Sequence, residues 1–259
     1  PIIESHRHRP GLGVGHDVGY GCLLGLNFKR VDLMKLNIAI DGPSASGKST
    51  IAKRLAKRLD YIHIDTGAMY RGCALKARSL GYTVENEEEI SDMLKHTEFA
   101  FDPQGHLLLD GVDVTEEIRK KDMDILTSSI SALPKVRCEL VRRQQEMAKS
   151  KGFILDGRDI GTVVLDDAEI KIFQTASTLS RAERRFIENQ EKKRSGSFDE
   201  ILDDLKQRDY QDTHRVHSPL KKADDAIEID TSTMTIEEVV EMVEAIVKEK
   251  MKEKEGDRK

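Results

Sequence analysis

Residues 36–59, LNIAIDGPSASGKSTIAKRLAKRL, decide the fold class. The apolar run from Leu36 to Ile40 ends at Asp41 and has the make-up of a short buried strand. Gly42, Pro43, Ser44, Ala45, Ser46, Gly47, Lys48 and Ser49 then satisfy G-x-x-x-x-G-K-[ST]. After them Ile51, Leu55 and Leu59 recur every fourth residue beside Ala52 and Ala56. That is the apolar stripe of a helix that turns Lys53, Arg54, Lys57 and Arg58 to water. A loop that wraps a phosphate must aim many N–H donors at one point, and glycine lets the backbone come close enough. The start of the helix adds unpaired N–H groups and the positive end of its dipole. Lys48 is placed for β- and γ-phosphates, and the Ser49 hydroxyl for Mg²⁺. The pattern specifies a nucleoside triphosphate and leaves its use open.

The bulk numbers narrow the rest. A chain of 259 residues suffices for one large α/β domain, or for a core domain with an insertion. Charged residues make up 34% and the net charge is -5, which argues against a basic nucleic-acid binder. Trp is absent and aromatics are few, so little is available to stack on single-stranded bases. Cys22, Cys73 and Cys138 have no CxxC spacing and leave an odd one, which points to a reducing cytoplasm with Cys73 and Cys138 as small core residues. No apolar run approaches the ~20 residues of a membrane span, and none resembles a signal peptide.

Residues 1–33 are rich in Gly, His and Arg and lack periodicity. The glycines at 11, 13 and 15 miss the third glycine of a dinucleotide fingerprint, and His6, His8 and His16 have no partner cluster for a metal. We expect Met34 to be the working start and 1–33 to be an unstructured leader outside the fold.

Downstream, Tyr61–Asp65 reads as a second strand, parallel to the first through a right-handed crossover. Ligands gather at the carboxyl ends of such strands, so Thr66, Tyr70 and Arg71, opening the next helix, should face the phosphate-loop crevice. Residues 82–130 change character. A charged helix starts near Glu85, strand-like runs fall at Phe99–Phe101, Leu107–Leu109 and Val112–Val114, and a helix is expected to open at Thr115. This is a small antiparallel α+β piece inserted in a parallel domain. Ser128–Ser131 leads to Pro134, which suits a helix start, and Arg137, Arg142 and Arg143 follow on that helix. Phe153–Leu155 is another buried run, ending at Asp156, the usual place for a carboxylate that orders Mg²⁺ through water. Arg158 and Asp159 should project into the crevice. Ile170–Phe173 continues the sheet.

Arg181, Arg184 and Arg185 lie on adjacent turns of a basic helix over 179–194. It suits a solvated face, a nucleic-acid patch or a mobile lid. Interleaved acids and scarce aromatics rank nucleic acid lowest. Ser195-Gly196-Ser197 breaks it like a hinge. On the next helix Arg208, Asp212 and Arg215 recur at i, i+4 and i+7 and share one face. That face can hold a phosphate and a sugar hydroxyl, or be a surface ion-pair ladder worth under ~1 kcal/mol. Ala226–Asp230 is a last strand, Val239, Val240, Val243, Ile246 and Val247 line a last helix, and the charged end from Lys248 is expected to fray.

Taken in order, the phosphate loop, DTGAMYR at 65–71, the 85–130 insertion, DGRDIG at 156–161 and RDYQD at 208–212 make the chain resemble the bacterial cytidylate kinases from Met34 to about Lys250. The resemblance implies a P-loop NTPase fold: a five-stranded parallel sheet flanked by helices. It implies a core at 34–81 and 131–250, a monophosphate-binding insertion at about 82–130, a helical lid at about 178–197 and a charged tail at 251–259. It implies phosphoryl transfer from ATP to CMP and dCMP with Mg²⁺. Gly42 to Thr50, Thr50 included, would cradle the ATP phosphates. Thr66, Tyr70, Arg71, Ser128, Arg137, Arg158, Asp159, Arg208, Asp212 and Arg215 would surround the monophosphate. Ser128, Arg158 and Asp159 would face cytosine, and Arg208 and Asp212 would hold ribose. Lys48, Arg181, Arg184, Arg185 and Asp156 would serve transfer, with Ser49 and Asp156 toward the metal. The partners would be small molecules only, with neither nucleic acid nor membrane, and the chain a monomer. The acceptor oxygen is already ionised, so no general base is required, and no compelling His–carboxylate pair stands near the motifs. A kinase for another nucleoside monophosphate is the runner-up. A GTP switch would want an NKxD tetrapeptide, which does not occur.

Overall fold

Ile38–Asp41 (β1) is buried along its whole length, because strands flank it on both sides and helices cover both faces. This computed structural model describes residues 35–102, 104–120, 122–191 and 195–256; the expectations placed on 1–33 fall outside them. Five parallel strands run in the order Ile62–Asp65 (β2), Phe153–Gly157 (β6), β1, Ile170–Thr175 (β7), Ile227–Asp230 (β8). The fold is therefore the parallel α/β sheet expected. One detail was not foreseen: β6 inserts between β1 and β2, pairing Asp156 with Ile40 on one side and with Asp65 on the other.

Alternation sorts the strand side chains into two cores. Ile38, Ile40, Ile154 and Ile172 pack with Ile51 and Leu55 of Lys48–Leu59 (α1) and with Val239, Val240, Val243 and Val247 of Ile236–Gly256 (α8). Ala39, Ile64, Phe153 and Leu155 point the other way, onto Thr66–Ser79 (α2), Glu87–Lys95 (α3) and Pro134–Ala148 (α5). A sheet covered on both faces needs continuous apolar strands, which is why these runs do not alternate with polar residues. Each fully buried aliphatic side chain is worth about 1.5–3 kcal/mol.

The inserted piece holds a three-stranded antiparallel sheet, Phe99–Phe101 (β3), Leu107–Leu109 (β4) and Val112–Asp113 (β5). The helix expected at Thr115 does not open there. The Thr115 hydroxyl accepts from Leu107 N at 3.0 Å, and only one 3₁₀ turn, Glu117–Arg119, follows. The true helix, Asp122–Ser131 (α4), starts later and takes in Ser128–Ser131, which the sequence suggested as a lead-in. Thr178–Glu191 (α6) and Phe198–His214 (α7) pack on each other through Ala182, Phe186, Ile201 and Leu205. Ser197 caps α7, its hydroxyl accepting from Glu200 N.

Two further expectations fail. Lys248–Gly256 remains helical rather than frayed, because Val247 and Met251 keep one side of α8 on the core while Lys248 reaches Glu244 and Lys254 reaches Glu169. Of the two cysteines among the described residues, Cys73 is buried and Cys138 is exposed on α5, both free. Among the described residues no helix is long and apolar enough to cross a membrane.

Leu155 has no exposed surface. Leu155→Ala should cost about 2–5 kcal/mol, the range for truncating a buried leucine, read as a fall in denaturant midpoint with unchanged slope.

Candidate active site

The phosphate loop is forced into shape from one side. A Cβ on Gly42 would lie 2.1 Å from the backbone oxygen of Gln174 on β7, so only glycine fits against that strand. Gly47 enters α1 at φ 91°, in the left-handed region glycine tolerates. The Ser46 carbonyl accepts from Gln174 Nε2 and from Arg184 Nη1, and the Ser44 carbonyl from Arg181 Nη1 at 3.1 Å. The Ser44 and Ser46 carbonyls are thereby held by side chains of β7 and α6. The loop's N–H groups remain for a ligand, in the manner of phosphate nests.

Lys48 is buried, and its Nζ donates to Pro43 O at 3.1 Å. Burial pushes its ammonium down to about 7, helped by the Arg158 and Arg208 charges. Those two arginines come from β6's end and from α7, so the loop and the arginine-rich side form one crevice. Asp41, which closes β1, accepts from Ile160 N and Gly161 N at 2.8 and 2.7 Å, and burial pushes its carboxyl up to about 6. It anchors the turn after Asp156–Asp159.

Asp156 sits where β1, β6 and α1 meet. Ser49 Oγ donates to its Oδ2 at 2.6 Å, Thr66 Oγ1 donates to its backbone oxygen at 2.8 Å, and His63 Nε2 lies 2.6 Å from its Oδ1. Burial works against the charge on Asp156. The His63 hydrogen bond, the Lys48 charge and the Ser49 hydroxyl outweigh it and hold the carboxyl below the usual range. This corrects the expectation that no His–carboxylate pair stands near the motifs. His63 was passed over because a histidine two residues before the end of a strand looks like any half-buried strand position. The hint available was its spacing, which puts it on the same strand face as Asp65.

The donor set at this point fits Mg²⁺. It offers one ionised carboxylate and one hydroxyl, both hard oxygens, beside a phosphate loop. Mg²⁺ commonly keeps several waters and takes one or two carboxylates plus substrate phosphates. Among the described residues no group of three or more His, Cys, Asp or Glu forms an all-protein cage.

Across the crevice, guanidiniums outnumber carboxylates. Arg158 Nε binds Asp212 Oδ2 at 2.6 Å, Arg71 Nη2 binds Asp124 Oδ1 at 2.6 Å, and Arg208 Nη1 lies 3.6 Å from the same Asp124 oxygen. Arg137 pairs with Asp159 Oδ2, and Arg215 Nη2 lies 3.6 Å from Asp159 Oδ1. Arg208, Asp212 and Arg215 each meet a charge on a different element, so their shared face is no surface ladder. Burial, with Arg158 and Arg71 close by, pushes Arg208 down to about 10. Burial opposes the charge of Asp212, and Arg158 wins by holding its carboxyl low. The Arg137 guanidinium stands 5.3 Å over the Tyr70 ring. Tyr70 Oη, Arg137 Nε and Arg215 Nη2 are buried and lack hydrogen-bond partners among the described residues. Such atoms ask for an outside acceptor. Ser128 Oγ donates to Gln211 Oε1 at 3.3 Å, bringing α4 to α7.

The three arginines of α6 separate. Arg181 is buried, with two bonds to Asp209 and one to the Ser44 carbonyl, and Arg184 binds the Ser46 and Thr231 carbonyls. Arg185 pairs with Glu188 on its own helix. Asp41, His63, Asp124, Gln174 and Asp209 all take part in the site without having been singled out. Asp124 and Asp209 lacked any signal, since each earns its place only through an arginine distant in sequence.

A P-loop, a hydroxyl–carboxylate pair beside it and a facing arginine cluster at the carboxyl ends of a parallel sheet define a nucleotide-dependent phosphotransferase. Residues 38–249 match the family described as cytidylate kinase. A cytidylate kinase of Caldicellulosiruptor saccharolyticus is 49% identical over 214 residues, covering 82% of this chain and 95% of that protein. Cytidylate kinases of Bacillus cereus (strain B4264) and Bacillus thuringiensis (strain Al Hakam) are 48% and 47% identical over 217 residues, with 82% of this chain and 96% of each relative covered. The chain belongs to the cytidylate kinase family, and with it to the nucleoside monophosphate kinases that phosphorylate CMP with ATP as donor.

Gly42→Ala should abolish binding of a fluorescent ATP analogue, because the methyl group meets backbone rather than a side chain that can step aside. Gly81→Ala, whose Cβ would meet nothing within 4 Å but whose φ of +75° strains any L side chain, should lower stability by about 1 kcal/mol and leave that binding intact in the same titration.

Proposed function

We propose that the chain moves the γ-phosphoryl group of ATP directly onto a phosphate oxygen of CMP or dCMP, releasing ADP and CDP or dCDP, with Mg²⁺ as the metal. The observation that carries this is that Asp156, held by Ser49 at the phosphate loop, lies two residues before Arg158, whose Nε binds Asp212 on the helix face that carries Arg208 and Arg215. Transfer through a loose transition state needs alignment and positive charge rather than a protein nucleophile. The attacking oxygen is ionised at neutral pH, so no residue has to take a proton.

Gly42–Thr50 hold the triphosphate, with Lys48 on the β- and γ-phosphates. Mg²⁺, when bound, neutralises charge on the phosphates, and Ser49 and Asp156 are the residues that would hold it, Asp156 through water. Arg71, Arg137, Arg208 and Arg215 take the acceptor phosphate and ribose together with Thr66, Tyr70 and Asp212. Ser128, Arg158 and Asp159 read the cytosine edge. A ligand phosphate would satisfy the buried donors left over on Arg137, Arg215 and Tyr70. Arg181 and Arg184 already touch the loop's backbone, which suits them to sense the donor. Arg185 would reach the transferring group only by leaving Glu188. The chain works as a monomer in a reducing cytoplasm on this proposal.

The test is ADP release with ATP and Mg²⁺ against CMP, dCMP, UMP, AMP and no acceptor. Turnover confined to CMP and dCMP is expected. Best turnover with AMP would overturn the base-facing assignment, and release without acceptor would overturn the transferase. Lys48→Ala should lower kcat about 10²–10³-fold with every acceptor, as for loss of one preorganised transition-state donor. Arg158→Ala should cut kcat/KM for CMP roughly a hundredfold while the Kd for an ATP analogue stays within about twofold; equal losses would make Arg158 structural.

A further inference from the structure

We infer that His63 is a positioning residue for the metal-side carboxylate, gripping Asp156 Oδ1 so that Oδ2 stays turned toward Ser49 and the cation's water. This rests on the metal role proposed above for Ser49 and Asp156. An ionised carboxylate is an acceptor only, with about four lone-pair sites on two oxygens. At Asp156 the oxygens are divided: Oδ2 takes the Ser49 hydroxyl at 2.6 Å, and Oδ1 meets His63 Nε2 at 2.6 Å. The second contact requires the imidazole to carry its proton on Nε2. Both side chains are almost completely enclosed, 6% and 2% exposed.

The strand register explains why the two meet. β2 pairs with β6 so that His63 stands opposite Ile154 and Asp65 opposite Asp156. His63 is thus one pleat upstream of the Asp156 level. Its long side chain reaches up the sheet to the carboxylate, where a short one would not. Left untied, the plane of the Asp156 carboxylate can turn about χ2 away from Ser49. With His63 attached, the plane is fixed with one oxygen on each donor. Partners that orient a metal ligand typically change metal affinity by 10–100-fold when removed.

His63→Leu removes the donor, and His63→Gln keeps an N–H donor on a side chain of similar reach. The probe is Mn²⁺, titrated by EPR into the enzyme–ADP complex, with ADP affinity in EDTA as control and the half-saturating Mg²⁺ for ADP release as second readout. We expect His63→Leu to weaken Mn²⁺ about tenfold and raise the Mg²⁺ requirement similarly, ADP affinity in EDTA to hold, and His63→Gln to recover to within about threefold of wild type. Should His63→Leu not fold, His63→Met takes its place. Wild-type Mn²⁺ affinity in the donor-free variant, or an equal loss in His63→Gln, overturns the inference while leaving the metal site standing. If wild-type enzyme–ADP binds Mn²⁺ no more tightly than ADP alone, the metal role of Ser49 and Asp156 falls, and this inference with it.

Discussion

Everything at the site is referred to the carboxylate of Asp156. It ends the strand that lies between β1 and β2, so three elements fix its position: β6 carries it, α1 supplies the Ser49 hydroxyl, and β2 supplies His63. Its charge survives burial only because these partners and Lys48 favour the ionised form. A buried carboxylate without them would protonate and cease to attract a cation. The phosphate loop, the Ser49–Asp156 pair and the loop that begins after Gly157 are thereby held to one origin.

Around that origin the electrostatics are deliberately unbalanced. Guanidiniums of Arg71, Arg137, Arg158, Arg208 and Arg215 face the carboxylates of Asp124, Asp159 and Asp212. The acids keep the arginines ordered and prevent mutual repulsion from opening the crevice. They do not neutralise it: burial lowers Arg208, Arg215 and Lys48, and neighbouring guanidiniums lower them further. Removing a single carboxylate would leave its arginine buried and unpaired, which costs more than the pair contributes.

The loop's own polarity depends on a second set of contacts. Gln174, Arg181 and Arg184 hold the Ser44 and Ser46 carbonyls. Arg181 is tied to Asp209 as well, so α6 and α7 share one partly buried ion pair beside the phosphate loop. A helix that in sequence is equally a solvated face or a lid has two of its arginines committed to the loop and one on its own surface.

What the sequence by itself determined is what local chemistry determines. The strand–loop–helix at 36–59, the buried runs at 61–65, 153–155 and 170–173, the Pro134 helix start and the antiparallel insertion are legible because periodicity and turn chemistry act over a few residues. Asp156 and Arg158 are legible as site candidates because they follow a strand end. Tertiary structure alone decided that β6 separates β1 from β2, that His63 reaches Asp156, and that Arg208, Asp212 and Arg215 pair with Asp124, Arg158 and Asp159. It also decided that Lys248–Gly256 keeps its helix and that Thr115 ties down β4 instead of opening one. Most of these turn on a partner 8 to more than 90 residues away along the chain, and no local pattern carries the register that brings such partners together.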